Sequence, residues 1–279
     1  MKKIGFVDYY ISEWHANSYP VWIAKACEEN GLSYEVAYAW AEEYISPYDG
    51  RNTDEWCRDF GATRCDSIRE LCEKSDVVVI LAPSNPEKHL GYALEVFKYA
   101  RLVYVDKTFA PDLKTAKQIY EIAEQYGTRF FSTSALRYAT ELAKIDTGVG
   151  VATTGGGSNL PEYVIHQVEM VVKLMGGAVR ILARMDGGAT VFDAEYADGR
   201  RAEMRYSPEL SFTVRGLAGD EPTAISSPFF VLLITDMLRF FESGESSFSS
   251  EETLEAMRMR EAAILASERL GEWIYLDSI

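Results

Sequence analysis

The run Val77-Val78-Val79-Ile80-Leu81-Ala82 constrains this chain more than any other segment. It is apolar without alternation and mostly β-branched. A strand of that kind is buried on both faces, as in parallel sheets covered by helices. The flanking segments keep the same rhythm: short apolar stretches at 4–7, 34–40, 102–105 and 129–132 alternate with helical stretches at 20–29, 53–60, 67–74, 86–99 and 113–126. Parallel neighbours need a crossover of about a dozen residues, which these helices supply. The first helix is expected at Pro20 to Glu29, capped by Asn17 or Ser18 and stopped at Asn30-Gly31.

Beyond Ala139 the rhythm changes. A glycine-rich stretch at 148–157 precedes a helix at 161–174. Short alternating segments follow at 179–184, 190–196, 201–206 and 211–216, with Asp198-Gly199 as a hairpin turn. Helices at 229–242 and 251–270 come last, the second opened by a capping box at Ser249-x-x-Glu252 and closed by Gly271. The pattern predicts an α/β fold with a doubly wound parallel sheet over residues 1–136. A second α+β domain, built on a mainly antiparallel sheet, is expected over 137–279.

Composition narrows the partners. With 43 acidic against 28 basic residues the formal charge is −15, and no basic stripe offsets it, which excludes nucleic acid and anionic membrane as expected partners. The longest apolar runs are far shorter than the ~20 residues that span a bilayer. The first residues carry no signal-peptide core, so a cytoplasmic protein is expected. Cys27, Cys57, Cys65 and Cys72 form no Cys-x-x-Cys pair and are expected as reduced, mostly buried thiols.

The βα start lacks Gly-x-Gly-x-x-Gly. In its place stands the bulky loop Asp8-Tyr9-Tyr10-Ile11-Ser12-Glu13-Trp14-His15, whose two acids oppose a diphosphate. The loop Pro83-Ser84-Asn85-Pro86-Glu87-Lys88-His89 follows the most hydrophobic strand, where ligands gather in open α/β sheets. His89 is there either a ligand contact or a polar residue of the helix's first turns. Lys107, after the next strand, is either a cationic donor to a substrate oxygen or a surface lysine paired to Asp106. Glu162, His166 and Glu169 stand at i, i+4 and i+7, a polar helix stripe with a histidine at its centre. His166 is a candidate general acid/base beside a carboxylate, or part of a solvated face; the stripe alone has too few ligands for a metal.

Taken in order, the Pro83 to His89 turn, Asp106-Lys107-Thr108, Arg137-Tyr138, Gly155-Gly156-Gly157, the Glu162 to Glu169 helix and Leu174-Met175-Gly176 resemble the Gfo/Idh/MocA family of nicotinamide-dependent oxidoreductases. The resemblance covers nearly the whole chain. It implies a Rossmann-type first domain, NAD or NADP as cofactor with contacts at Ser12, Pro83, Asn85 and His89, and a small sugar- or polyol-like substrate. Lys107 would polarise the reacting oxygen, and His166, supported by Glu162, would remove or return the hydroxyl proton. Arg137 and Glu169 would lie near the substrate, and no metal is called for. The family's Glu-Lys-Pro reads Asp106-Lys107-Thr108 here, and its Asp and Gly on the helix are Glu162 and Val164. The missing glycine loop motivates the alternative of a non-catalytic binding or regulatory homologue that has lost dinucleotide binding. The resemblance also implies a homodimer or larger assembly through the open face of the antiparallel sheet, with Val191, Phe192, Tyr196, Met204, Tyr206 and Phe212 as its apolar residues.

Overall fold

Apolar segments separated by helices pair as a parallel sheet in the computed structural model, which describes residues 1–99 and 102–279. Strands β1 (Lys2–Asp8), β2 (Tyr34–Ala41), β3 (Thr63–Arg64), β4 (Val77–Ile80), β5 (Leu102–Val105) and β6 (Arg129–Phe131) lie in the order β3-β2-β1-β4-β5-β6. Every pairing is parallel. Helices α1 (Trp14–Asn30), α2 (Thr53–Phe60), α3 (Ile68–Lys74), α4 (His89–Val96) and α5 (Leu113–Tyr126) lie along the connections. All four residues of β4 are buried, as a strand covered on both faces requires.

Two local expectations are corrected. Helix α1 starts at Trp14, with Glu13 as its cap instead of Asn17 or Ser18, and Pro20 lies inside it. The Glu13 side chain accepts the first-turn amides and so starts the helix early. The segment from Pro86 splits into a 3₁₀ turn, Pro86–Lys88, and α4, which ends at Val96.

The second sheet is built from β7 (Gly150–Gly155), β8 (Arg180–Asp186), β9 (Ala189–Glu195), β10 (Arg201–Tyr206), β11 (Thr213–Gly216), β12 (Thr223–Ala224) and β13 (Trp273–Tyr275). Their order is β12-β11-β7-β10-β9-β8-β13, antiparallel except for β7 with β10. Helix α6 (Leu160–Met175) follows β7; α7 (Phe229–Ser243) and α8 (Ser250–Glu268) come between β12 and β13. The glycine-rich stretch turns out to be strand β7 and the bend after it. A Cβ on Gly150, at φ +140°, would sit 1.9 Å from the Arg201 carbonyl oxygen, and one on Gly156 would meet three carbonyl oxygens at 2.4–2.7 Å. Close backbone approach is what these glycines permit.

Unit 1 comprises Met1–Thr133 and Phe230–Phe248; unit 2 comprises Ser134–Phe229 and Ser249–Ile279. The expected single cut at 136 thus becomes an excursion, because α7 packs on unit 1 through aromatic rings. Phe230 stacks on Trp22 with centroids 4.7 Å apart, and Phe240 meets Phe131 edge-on at 5.1 Å. Tyr34 donates to Glu242 at 2.7 Å.

The residues expected on an open apolar face are instead inside unit 2. Phe192, Tyr196, Met204 and Tyr206 belong to its core beside Val164, Val168 and Met259, and Val191 is also buried. Phe212 is half-buried against the cluster around Leu136 and Met170. Alternate residues of the same strands carry charge and pair with one another: Arg184 with Asp193 and Glu203, Arg180 with Glu195, and Arg205 with Asp186. The expected capping box on α8 does not form either; the Ser249 side chain makes no cap bond, and Glu252 reaches Arg137.

The four cysteines are free thiols, three of them buried. Burial pushes the Cys57 and Cys72 thiols up to about 12 and that of Cys65 to about 11, away from nucleophilic use. Among the described residues no helix is long and apolar enough to cross a membrane.

Candidate functional site

In unit 1 the strand order reverses between β1 and β4, so the loops after these strands, with the one after β5, border the place where doubly wound sheets bind ligands. The β1 loop begins with Asp8. Its Oδ1 accepts the amides of Tyr9 (2.7 Å) and Ala82 (3.0 Å), while Oδ2 is buried with no partner. Burial, then the charge of Glu13, holds the Asp8 carboxyl well above the usual carboxylate range. The bond to Ala82 helps hold that residue at φ +63°, a left-handed conformation that an alanine rarely takes, and so shapes the turn after β4.

Glu13 occupies the N-terminus of α1. Its two carboxylate oxygens accept the amides of His15, at 2.7 Å, and of Ala16. The side chain is almost buried; desolvation raises its pKa, with the opposing charge of His15 and the two amide bonds holding it back. Two residues on, the His15 ring bonds through Nδ1 to Asp106 Oδ2. It stacks on Tyr19 with centroids 5.4 Å apart and meets Phe230 edge-on. Asp106, at the carboxyl end of β5, also accepts the hydroxyls of Tyr19 (3.0 Å) and Tyr104 (3.1 Å) on Oδ1. Burial alone would raise the Asp106 pKa, but the charge and hydrogen bond of His15, then Lys107 and Tyr19, outweigh it and bring it to about 2.

Lys107 is 9 % exposed and points its Nζ to the Pro83 carbonyl at 3.4 Å, so the structure brings these two expected site residues together. Asn85, half-buried in the same loop, donates to Glu87 at 3.0 Å. Two other assignments are corrected. His89 is fully buried, with Nδ1 2.9 Å from the Phe109 carbonyl and Nε2 2.5 Å from that of Leu81, so it ties the β4 end to the β5 loop and leaves no nitrogen for a ligand. Ser12 Oγ donates to Asp49 (2.7 Å) and accepts Arg51 Nε (3.0 Å) and Nη2 (2.8 Å), so its hydroxyl is spent on the loop after β2.

In unit 2, α6 presents its stripe to the turn Ala135–Tyr138. Ser134 Oγ lies 2.6 Å from His166 Nδ1, and the Ser134 amide donates to Glu169 Oε1 at 3.3 Å. Glu169 pairs with Arg137 Nη1 at 3.5 Å, and Arg137 Nη2 bonds Glu252. Arg137 and Glu169 are therefore brought together as a buried ion pair. Glu162, expected beside His166, accepts the amide of Asn159 at 2.9 Å, which belongs to the cap of α6. The Ser134 hydroxyl is the group that touches His166 Nδ1.

His15 and Ser134 are residues that the sequence pattern does not single out, and Glu13 stands in it only as a repelling charge. A Glu-x-His at the mouth of the first βα loop was the one local signal for the pair at α1. Asp106 enters the sequence pattern only in the alternative that pairs it with Lys107, whereas its side chain serves His15.

No family model matches the chain, and no curated protein matches it in sequence. Solved structures match its fold over nearly its full length. An oxidoreductase from Thermotoga maritima aligns at TM-score 0.75 and 15 % identity, covering 100 % of this chain and 99 % of its own. An oxidoreductase from Agrobacterium radiobacter, in complex with NAD+, L-tartaric acid and magnesium, aligns at 0.74 and 13 %, covering 99 % of both chains. Biliverdin reductase from Synechocystis sp. PCC 6803, with biliverdin and NADP+, aligns at 0.68 and 15 %, covering 97 % and 99 %. The chain thus has the fold of Gfo/Idh/MocA-type oxidoreductases, with its Rossmann-type sheet and second α+β unit.

Proposed function

We propose that this protein is an oxidoreductase of small hydroxyl-bearing molecules of the sugar or polyol kind, drawing on NAD or NADP as proteins of this fold do. The observation that carries the reading is Lys107. Its ammonium is nearly buried at the carboxyl edge of the sheet, makes one long hydrogen bond to a neutral carbonyl, and has no direct ion pair among the described residues. Asp106, its neighbour in sequence, is engaged by His15, Tyr19 and Tyr104 instead. That leaves positive charge for an oxygen on which alkoxide character develops, the requirement of alcohol oxidation. When bound, the dinucleotide supplies the hydride acceptor.

The residues at the α1 N-terminus do not fit the cofactor's pyrophosphate in its usual seat. Two of the amides that would cradle it are bonded to Glu13, and Asp8 is buried in the same loop. That observation favours a second reading, a binding or regulatory homologue without dinucleotide. Calorimetric titration with NAD, NADH, NADP and NADPH, followed also by Trp14 fluorescence, separates the two. The first reading expects saturable binding, and reduction of the cofactor by a panel of sugars and polyols that falls at least about 100-fold in Lys107→Met. Absence of heat with all four cofactors overturns it and leaves the second.

A further inference from the structure

The unit that holds Lys107 also holds a histidine with the geometry of a proton carrier. His15 Nδ1 is taken by Asp106, which Tyr19 and Tyr104 clamp from the other side. The other ring nitrogen, Nε2, makes no hydrogen bond among the described residues and is not one of the buried polar atoms left without a partner. It is therefore open to a small molecule, although the ring is 5 % exposed and wedged among Trp14, Tyr19 and Phe230. Two more polar atoms of the same loops, Asp8 Oδ2 and Thr108 Oγ1, are buried without partners. This edge thus has hydrogen-bonding capacity that the protein does not use, which suits a polyhydroxylated ligand.

We propose that His15 is a proton-transfer group of unit 1, acting on a hydroxyl of a small polyhydroxylated molecule bound at the carboxyl edge of the sheet. The proposal rests on the reading that Lys107 meets a substrate oxygen there. In the forward step the O–H bond breaks and a bond from Nε2 to hydrogen forms, while the electron pair stays on the oxygen, stabilised by the Lys107 ammonium. Asp106 remains a carboxylate throughout, accepts the Nδ1 hydrogen, and so keeps Nε2 as the basic nitrogen. The reverse step returns the same proton.

The test uses the full chain, whose three histidines are His15, His89 and His166. Diethyl pyrocarbonate, a small electrophile that acylates unprotonated imidazole nitrogen, is applied near neutral pH and the modified peptides are mapped by mass spectrometry. His15 is expected to react at least about tenfold faster than His89, whose nitrogens both face carbonyls, and Asp106→Asn is expected to slow His15 about tenfold. A His15 as unreactive as His89, or one indifferent to Asp106→Asn, overturns the proposal. If that variant does not fold, ¹⁵N spectra of the wild-type histidines decide. The neutral ring of His15 must carry its proton on Nδ1, and the opposite tautomer overturns the proposal. Neither readout needs a substrate, so failure here is distinct from failure of the Lys107 reading.

Discussion

Units 1 and 2 each hold a histidine through Nδ1, and they hold it by different chemistry. His15 faces a buried carboxylate clamped by two tyrosine hydroxyls; His166 faces the hydroxyl of Ser134. A carboxylate only accepts, so it fixes the proton on Nδ1, whereas a hydroxyl gives or accepts and follows whichever tautomer the ring adopts. Asp106 stays charged in a place where burial alone would neutralise it, so the pair in unit 1 is the stiffer and the more costly to break.

The largest expected effect is on Asp106→Ala. Removing one partner of a buried pair leaves His15 and the Tyr19 hydroxyl without their acceptor, while Tyr104 keeps the Thr133 carbonyl, a loss of about 3–5 kcal/mol in urea unfolding. Ser134→Ala removes hydrogen bonds of the neutral kind and is expected to cost only about 1 kcal/mol in the same measurement. Equal losses would break the contrast between the two histidines. Glu13→Ala strips the cap from α1 for about 1–2 kcal/mol, and Asn159→Ala does the same to α6 for about 1 kcal/mol. Only the first frees amides beside the sheet switch point, so Glu13→Ala alone is expected to gain affinity for NAD or NADP in calorimetry.

The last prediction is a slope. Asp106 titrates lower in the folded than in the unfolded chain, so its contribution is present above about pH 4 and lost as pH falls towards about 2. Asp8 runs the other way. Its carboxyl titrates higher when folded, so stability is full below about pH 4 and declines as pH rises towards the raised value. Asp8→Asn is expected to flatten that decline in urea midpoints measured from pH 4 to 8, with the amide oxygen still accepting from Tyr9 and Ala82. An unchanged slope would refute the assignment.

Most of the architecture is legible in the sequence. Five of the six parallel strands, the mainly antiparallel second sheet and the hairpin at Asp198-Gly199 follow from hydrophobic period and turn chemistry, which act over a few residues, whereas the two exposed residues of β3 carry no such period. The stretch 148–157 was harder, because a glycine that permits close packing looks like a glycine that serves a loop. The polar face of α6 was read as one stripe, and two of its members indeed meet Ser134, but Glu162 bonds the cap residue Asn159 instead.

What the sequence determined by itself is the order of most strands and helices, the absence of a glycine cradle after β1, and the placement of Lys107 at a strand's carboxyl end. What only tertiary structure decided is where each polar side chain spends its hydrogen bonds: Glu13 on the α1 amides, Ser12 on Asp49 and Arg51, His89 on two carbonyls, Asp106 on His15. The reason is physical. Backbone periodicity is set by neighbours in the chain, whereas a buried donor or acceptor must find a partner wherever folding brings one, in the case of Asp106 and His15 across 91 positions of sequence.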